Sequence, residues 1–62
     1  MAEYKLRGKR VEKGIKQGFL AKQLGITPQY LCQIEKGKVE PRRDLMIKIA
    51  NALEEDVKNL FF

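Results

Sequence analysis

The sequence contains no histidine, no serine and no tryptophan, and only one cysteine and two prolines in 62 residues. Each shortage excludes something. A lone thiol, Cys32, forbids an intramolecular disulfide, and without histidine the usual structural zinc sets cannot be assembled. A free thiol fits a reducing cytosol, so a cytoplasmic location is expected. With neither His nor Ser, and with no convergent carboxylate pair, general acid–base and nucleophilic chemistry lack their usual residues. No enzyme, cofactor or metal is therefore expected, and a chain this short has little room for a deep pocket. No apolar run approaches the roughly 20 residues that span a bilayer, and no signal-peptide pattern is present.

Length sets a further bound. Residues 1–62 are read as a single domain near the lower limit for a self-sufficient core, burying only roughly 60% of the unfolded surface. Thirteen basic residues against eight acidic ones leave a net charge of +5. Such a balance favours a polyanionic partner, because each neutralised phosphate releases counterions. The charge is also polarised. Lys5, Arg7, Lys9, Arg10 and Lys13 lie at one end, and Lys36, Lys38, Arg42 and Arg43 lie past the middle. Asp44, Glu54, Glu55 and Asp56 concentrate later, which suggests a binding face and a back face.

The most informative stretch is Gln17 to Lys38, which reads as helix, tight turn, helix. Leu20, Ala21 and Leu24 share one helical face, and Gly25-Ile26 break it. Thr27 is a good N-cap and Pro28 suits the first helical position. Leu31 and Ile34 set the buried face of the next helix, and Gly37 stops it. A pair of this kind is a helix-turn-helix, whose second helix enters the major groove of DNA.

The flanking segments add three more helices. A first is expected from about Ala2 to Lys13, with Leu6 and Arg10 four apart, Val11 on the adjacent position and Gly14 capping its end, although Gly8 weakens it by roughly 1 kcal/mol. Ile15 is the buried connector. The second helix runs from about Gln17 to Leu24, and the third from Pro28 to about Lys36. Pro41 keeps Glu40 out of the helical region, so residues 39–41 form a loop. A fourth helix spans about Arg43 to Leu53, with Met46, Ile49, Ala50 and Leu53 on one face. Asp56 then caps a short fifth helix that turns Val57, Leu60 and Phe61 inward. The expected fold is all-α, five short helices around one core.

At these residues the chain resembles the Cro and phage-repressor type of helix-turn-helix domain, often called the XRE family. The carrying positions are Arg10, Gly14-Ile15, Gln17, Leu20-Ala21, Leu24-Gly25-Ile26, Ile34-Glu35-Lys36-Gly37, Pro41, Ile49-Ala50 and Leu53. The resemblance spans about Leu6 to Phe61. It implies a transcriptional regulator that binds double-stranded DNA without catalysis, usually as a homodimer on a palindromic operator.

The resemblance also implies roles. Exposed positions near the start of the third helix touch base edges in the family, which by match are Pro28, Gln29 and Gln33. Independently, burying Leu31 and Ile34 turns Pro28, Gln29, Cys32 and Gln33 outward, and glutamine can bond bidentately to adenine. The plainer alternative is that both glutamines are solvated helix surface. Thr27 and Tyr30 match frequent phosphate contacts, although Thr27 serves as an N-cap in any case and Tyr30 can instead pack its ring on Phe19. Gln17, at the start of the second helix, suits a phosphate oxygen. Lys36, Lys38 and Arg43 would flank the groove as a cluster, though any one of them alone reads as surface charge. In the family, the positions of Arg10 and Glu35 form an internal ion pair with a structural role.

Some positions depart from the family pattern. Phe19 stands where a polar residue is usual, and Glu55 where an apolar one is common. Cys32 is expected to be half-buried, Phe61 to be core, and Phe62 to be a dimer contact or a loose end. These departures leave a second reading open, a protein-binding module such as an antitoxin-like or phage regulatory partner with weak DNA binding. Phe19, Phe62 and the acidic tail would be its contact surface, and its protein partner is of unspecified identity.

Overall fold

A computed structural model of the protein describes residues 4–62, in which five helices follow one another without a strand. They are α1 (Leu6–Glu12), α2 (Gln17–Leu24), α3 (Pro28–Glu35), α4 (Arg43–Leu53) and α5 (Val57–Phe61). α2 packs against α3 and α4, α4 against α5, and α5 closes back on α1. Every helix contributes to one core: Leu6; Leu20, Ala21 and Leu24; Leu31 and Ile34; Ile49, Ala50 and Leu53; Leu60 and Phe61. Full burial of one such leucine or isoleucine is worth roughly 1.5–3 kcal/mol, so this shared core outweighs the weak propensity of helices only 5 to 11 residues long.

The turn between α2 and α3 follows from one glycine. Gly25 sits at φ 75°, in the left-handed region that costs glycine nothing, and its N–H donates to the Lys22 carbonyl at 3.2 Å. Ile26 N–H then reaches back to the Ala21 carbonyl at 3.0 Å, which closes α2 and turns the chain sharply. Thr27 reopens it: its Oγ1 accepts the Tyr30 N–H at 3.1 Å, with Pro28 in the first turn. α4 ends in the same hydrogen-bond pattern as α2, but with a glutamate, Glu54, at φ 55°.

Several expectations change here. The first helix begins at Leu6; Ala2 lies outside the described residues, and Tyr4 and Lys5 precede the first helical turn. Lys5, at the cap position, makes no side-chain capping hydrogen bond. Val11 is 59% exposed: with Leu6 and Arg10 facing inward, the next position rotates about 100° away. Asp56 occupies the position before α5 but makes no capping hydrogen bond through its side chain. Met46, Val57 and Ile15 pack against the core's edge and are only partly buried.

Two long-range contacts hold the residues that flank α1. The ring of Tyr4 meets Phe61 edge to face with centroids 5.0 Å apart, a geometry worth roughly 0.5–1.5 kcal/mol beyond area burial. Lys13 Nζ lies 3.4 Å from Glu55 Oε2, which ties the end of α1 to the α4–α5 turn. Glu55, the carboxylate standing where an apolar residue is common, thus has a cation to pair with. Burial opposes its ionisation, but a hydrogen bond from Asn59 and the charges of Lys9 and Lys13 outweigh that and hold its carboxyl below the ordinary value.

Candidate nucleic-acid interface

α3 lies with Leu31 and Ile34 fully buried and with Pro28, Gln29 and Gln33 exposed. Gln29 and Gln33 stand one turn apart on its outer face, about 6 Å along the axis, which is close to the rise of two base pairs. Cys32 is half-buried beside them. Tyr30 is 37% exposed, Phe19 60%, and among the described residues the aromatic pair is Tyr4 with Phe61 rather than Phe19 with Tyr30. Lys36, Lys38 and Arg43 are all exposed after the outer face of α3. Thr27 is exposed as well, and while its oxygen accepts the cap bond its own O–H stays free to donate.

Gln17 has a different immediate partner. Its Nε2 donates to Glu35 Oε1 at 3.1 Å, so the side chain is drawn inward from the start of α2. One amide hydrogen and the amide oxygen are left over, together with the backbone N–H groups of the first turn. Glu35 is 1% exposed and receives two further bonds from Arg10: Nε to Oε2 at 2.6 Å and Nη2 to Oε1 at 3.2 Å. Arg10 Nη1 completes the cluster by donating to the Ile15 carbonyl at 2.8 Å. Both charges are thus paired and hydrogen-bonded, the condition under which burial is tolerated. The cluster joins α1, the start of α2 and the end of α3, so Gln17 is as much a structural tie as a surface group. Sequence reasoning took Gln17 only as a phosphate ligand, because its partner lies 18 positions away.

A family model for helix-turn-helix domains matches residues 6–58. The chain belongs to this helix-turn-helix family, of the XRE type. An uncharacterised HTH-type transcriptional regulator of Methanocaldococcus jannaschii is 37% identical over 57 residues, covering 92% of this chain and 86% of the relative. Among solved structures, the restriction-modification controller protein C.AhdI of Aeromonas hydrophila superposes with a TM-score of 0.83 at 32% identity, over 92% of this chain and 83% of its own. The clp gene regulator ClgR of Corynebacterium glutamicum gives 0.81 at 31% identity, over 87% of this chain and 70% of its own. A Bacteroides fragilis protein described as a putative DNA-binding protein matches over the full length of both chains with a TM-score of 0.89, and at 24% identity this speaks for the fold alone. In this helix-turn-helix domain α2 and α3 are the two motif helices. No helix among the described residues is long and apolar enough to cross a membrane.

Proposed function

We propose that this protein is a sequence-specific DNA-binding transcriptional regulator that lays α3 in the major groove. The observation that carries the reading is the outer face of α3. Gln29 and Gln33 project there behind a buried Leu31–Ile34 face, with Lys36, Lys38 and Arg43 exposed beyond it. The glutamines have the donor and acceptor pair that matches adenine N7 and N6, and Pro28 offers an apolar edge suited to a thymine methyl. Thr27, Tyr30, Lys36, Lys38 and Arg43 are the phosphate contacts, joined by the first-turn N–H groups of α2 and the free amide hydrogen of Gln17. Dimeric binding to a palindrome would set the half-sites about 34–36 Å apart.

The test is selection from a random duplex library, followed by titration of the winners and of scrambled DNA at two salt concentrations. A palindromic motif bound far above scrambled DNA is expected. Gln29→Ala should then cost roughly 1–3 kcal/mol at one base pair, whereas Lys38→Ala should weaken all sequences alike and reduce the salt slope by about one. Equal, steeply salt-dependent affinity for every duplex would overturn the proposal.

A further inference from the structure

We infer that α1 also holds DNA: Arg7 joins Lys36 and Gln17 around a single phosphodiester group, which sits over the thiol of Cys32. Arg7 lies outside the two motif helices. A cavity of about 330 Å³ opens where α1, the start of α2 and the end of α3 meet, and Arg7, Arg10, Gln17, Cys32, Glu35 and Lys36 line it.

The charged groups in this cavity divide into paired and unpaired. Both oxygens of Glu35 accept bonds from Arg10, and Gln17 adds a third, so the one carboxylate present is neutralised in place. Arg10 is committed as well, since Nη1 donates to the Ile15 carbonyl. Arg7 and Lys36 are exposed, and among the described residues neither enters an ion pair or a side-chain hydrogen bond. The cavity thus presents two unmatched cations around a neutralised floor, together with the remaining amide hydrogen of Gln17. That donor set fits an anion with several acceptor oxygens. The guanidinium fork can take two phosphate oxygens, and the lysine adds a point charge.

The place of the cavity beside α3 selects the source of the phosphate. One residue turns a helix by about 100°, so Tyr30 and Cys32 lie on opposite flanks of α3, with Gln29 and Gln33 pointing between them. A helix in the major groove has one sugar–phosphate backbone along each flank. The Cys32 flank faces this cavity, so the strand that passes there brings a phosphate to Arg7 and Lys36. The inference rests on the DNA-binding reading and deepens it, adding α1 to the contact and naming the group that covers Cys32. Such a contact fixes the pose of the domain on the duplex and carries no base information directly.

The experiment joins salt titration of duplex binding to alkylation of Cys32 by iodoacetamide, followed by the mass of the intact chain. One neutralised phosphate gives a slope of about 0.9 in log affinity against log salt, or roughly eightfold over a decade of salt. Arg7→Gln should therefore weaken selected and scrambled DNA alike, roughly eightfold near 0.1 M salt, and lower the slope by about 0.9. Arg7→Lys keeps the charge and should restore most of the affinity. Lys5→Gln removes the same charge from the opposite flank of α1 and should leave the slope as it was. All three variants alter exposed positions, and their thermal melts should stay native-like. The alkylation arm needs no variant: DNA should slow the reaction in proportion to occupancy, about tenfold when about nine copies in ten are bound. Inorganic phosphate at the same ionic strength should not slow it. An unchanged slope in Arg7→Gln, an equal loss in Lys5→Gln, or a thiol that reacts as fast on DNA as off it would overturn the inference. Protection by inorganic phosphate equal to that by DNA would also overturn it, making the cavity a seat for a free anion. Lack of any DNA sequence preference would overturn the regulator reading instead, and the slope and alkylation results would still decide the phosphate seat.

Discussion

Arg10→Met is the sharpest probe of what holds the domain together. The substitution keeps most of the apolar stem and removes the guanidinium, so the packing loss is small. Two charge-assisted hydrogen bonds to Glu35 disappear, leaving a carboxylate that is 1% exposed with only the amide of Gln17, while the Ile15 carbonyl loses its donor. Stranding one partner of a buried pair costs about 3–5 kcal/mol. A domain of 62 residues has a total stability of only about 3–9 kcal/mol. The variant should therefore melt at least roughly 12 °C below the native protein, or be unfolded at room temperature. Urea and thermal unfolding followed by far-ultraviolet circular dichroism measure this directly. The double variant Arg10→Met with Glu35→Leu removes both charges together, and it should recover most of the loss because neither group is stranded. A cost below about 1 kcal/mol for Arg10→Met would mean that Glu35 finds water or another donor. A double variant as unstable as the single one would mean that the site depends on something other than mutual neutralisation.

Thr27→Ala removes the side-chain acceptor for the Tyr30 N–H and should cost about 1 kcal/mol in the same unfolding assay; no loss would mean that water replaces the cap. Glu54→Gly relieves a left-handed glutamate at φ 55° and should raise stability by about 1 kcal/mol, whereas a loss would place the turn elsewhere in backbone space. The depressed carboxyl of Glu55 contributes stability that is fully present above its unfolded value and is lost as pH falls through the lower folded value. Glu55→Gln should accordingly be less stable than the native chain at pH 7 and should converge with it at low pH. A gap independent of pH would assign the effect to packing.

What could be read in the sequence was what is encoded locally. Gly25, Thr27 and Pro28 each act on hydrogen bonds within four residues, so the turn and both ends of the α2–α3 connection follow from residue type alone. The bounds of α2 and α4 are similarly marked by their apolar period and by the breaks on either side. The start of α1 carries no such mark. Its position is decided by contacts that sequence spacing does not reveal: Tyr4 on Phe61 across the whole chain, and Lys13 on Glu55. Gln17 is ambiguous for a physical reason. An amide at a helix start serves a phosphate or a buried carboxylate equally well, and only the fold shows that the carboxylate is within reach.

These contacts together explain how a chain with so small a core can present α3 in one fixed pose. The helix is only eight residues long and would not hold its shape alone in water. Its first turn is set by the Thr27 cap and the Gly25 turn, and its last residue, Glu35, is gripped by Arg10 from α1 and Gln17 from α2. With both ends fixed, burying Leu31 and Ile34 determines the rotation of the helix about its axis, and that rotation turns Gln29 and Gln33 outward. Loosening the Glu35 grip should therefore blur which bases are read before it weakens attachment to phosphates, because Lys38 and Arg43 lie outside α3's last turn. Gln17→Leu separates the two effects. It leaves the Arg10–Glu35 pair in place but removes the tie to α2, and it should lower discrimination between operator and scrambled DNA more than it lowers affinity for scrambled DNA. Equal losses on both would make Gln17 a phosphate contact and nothing more.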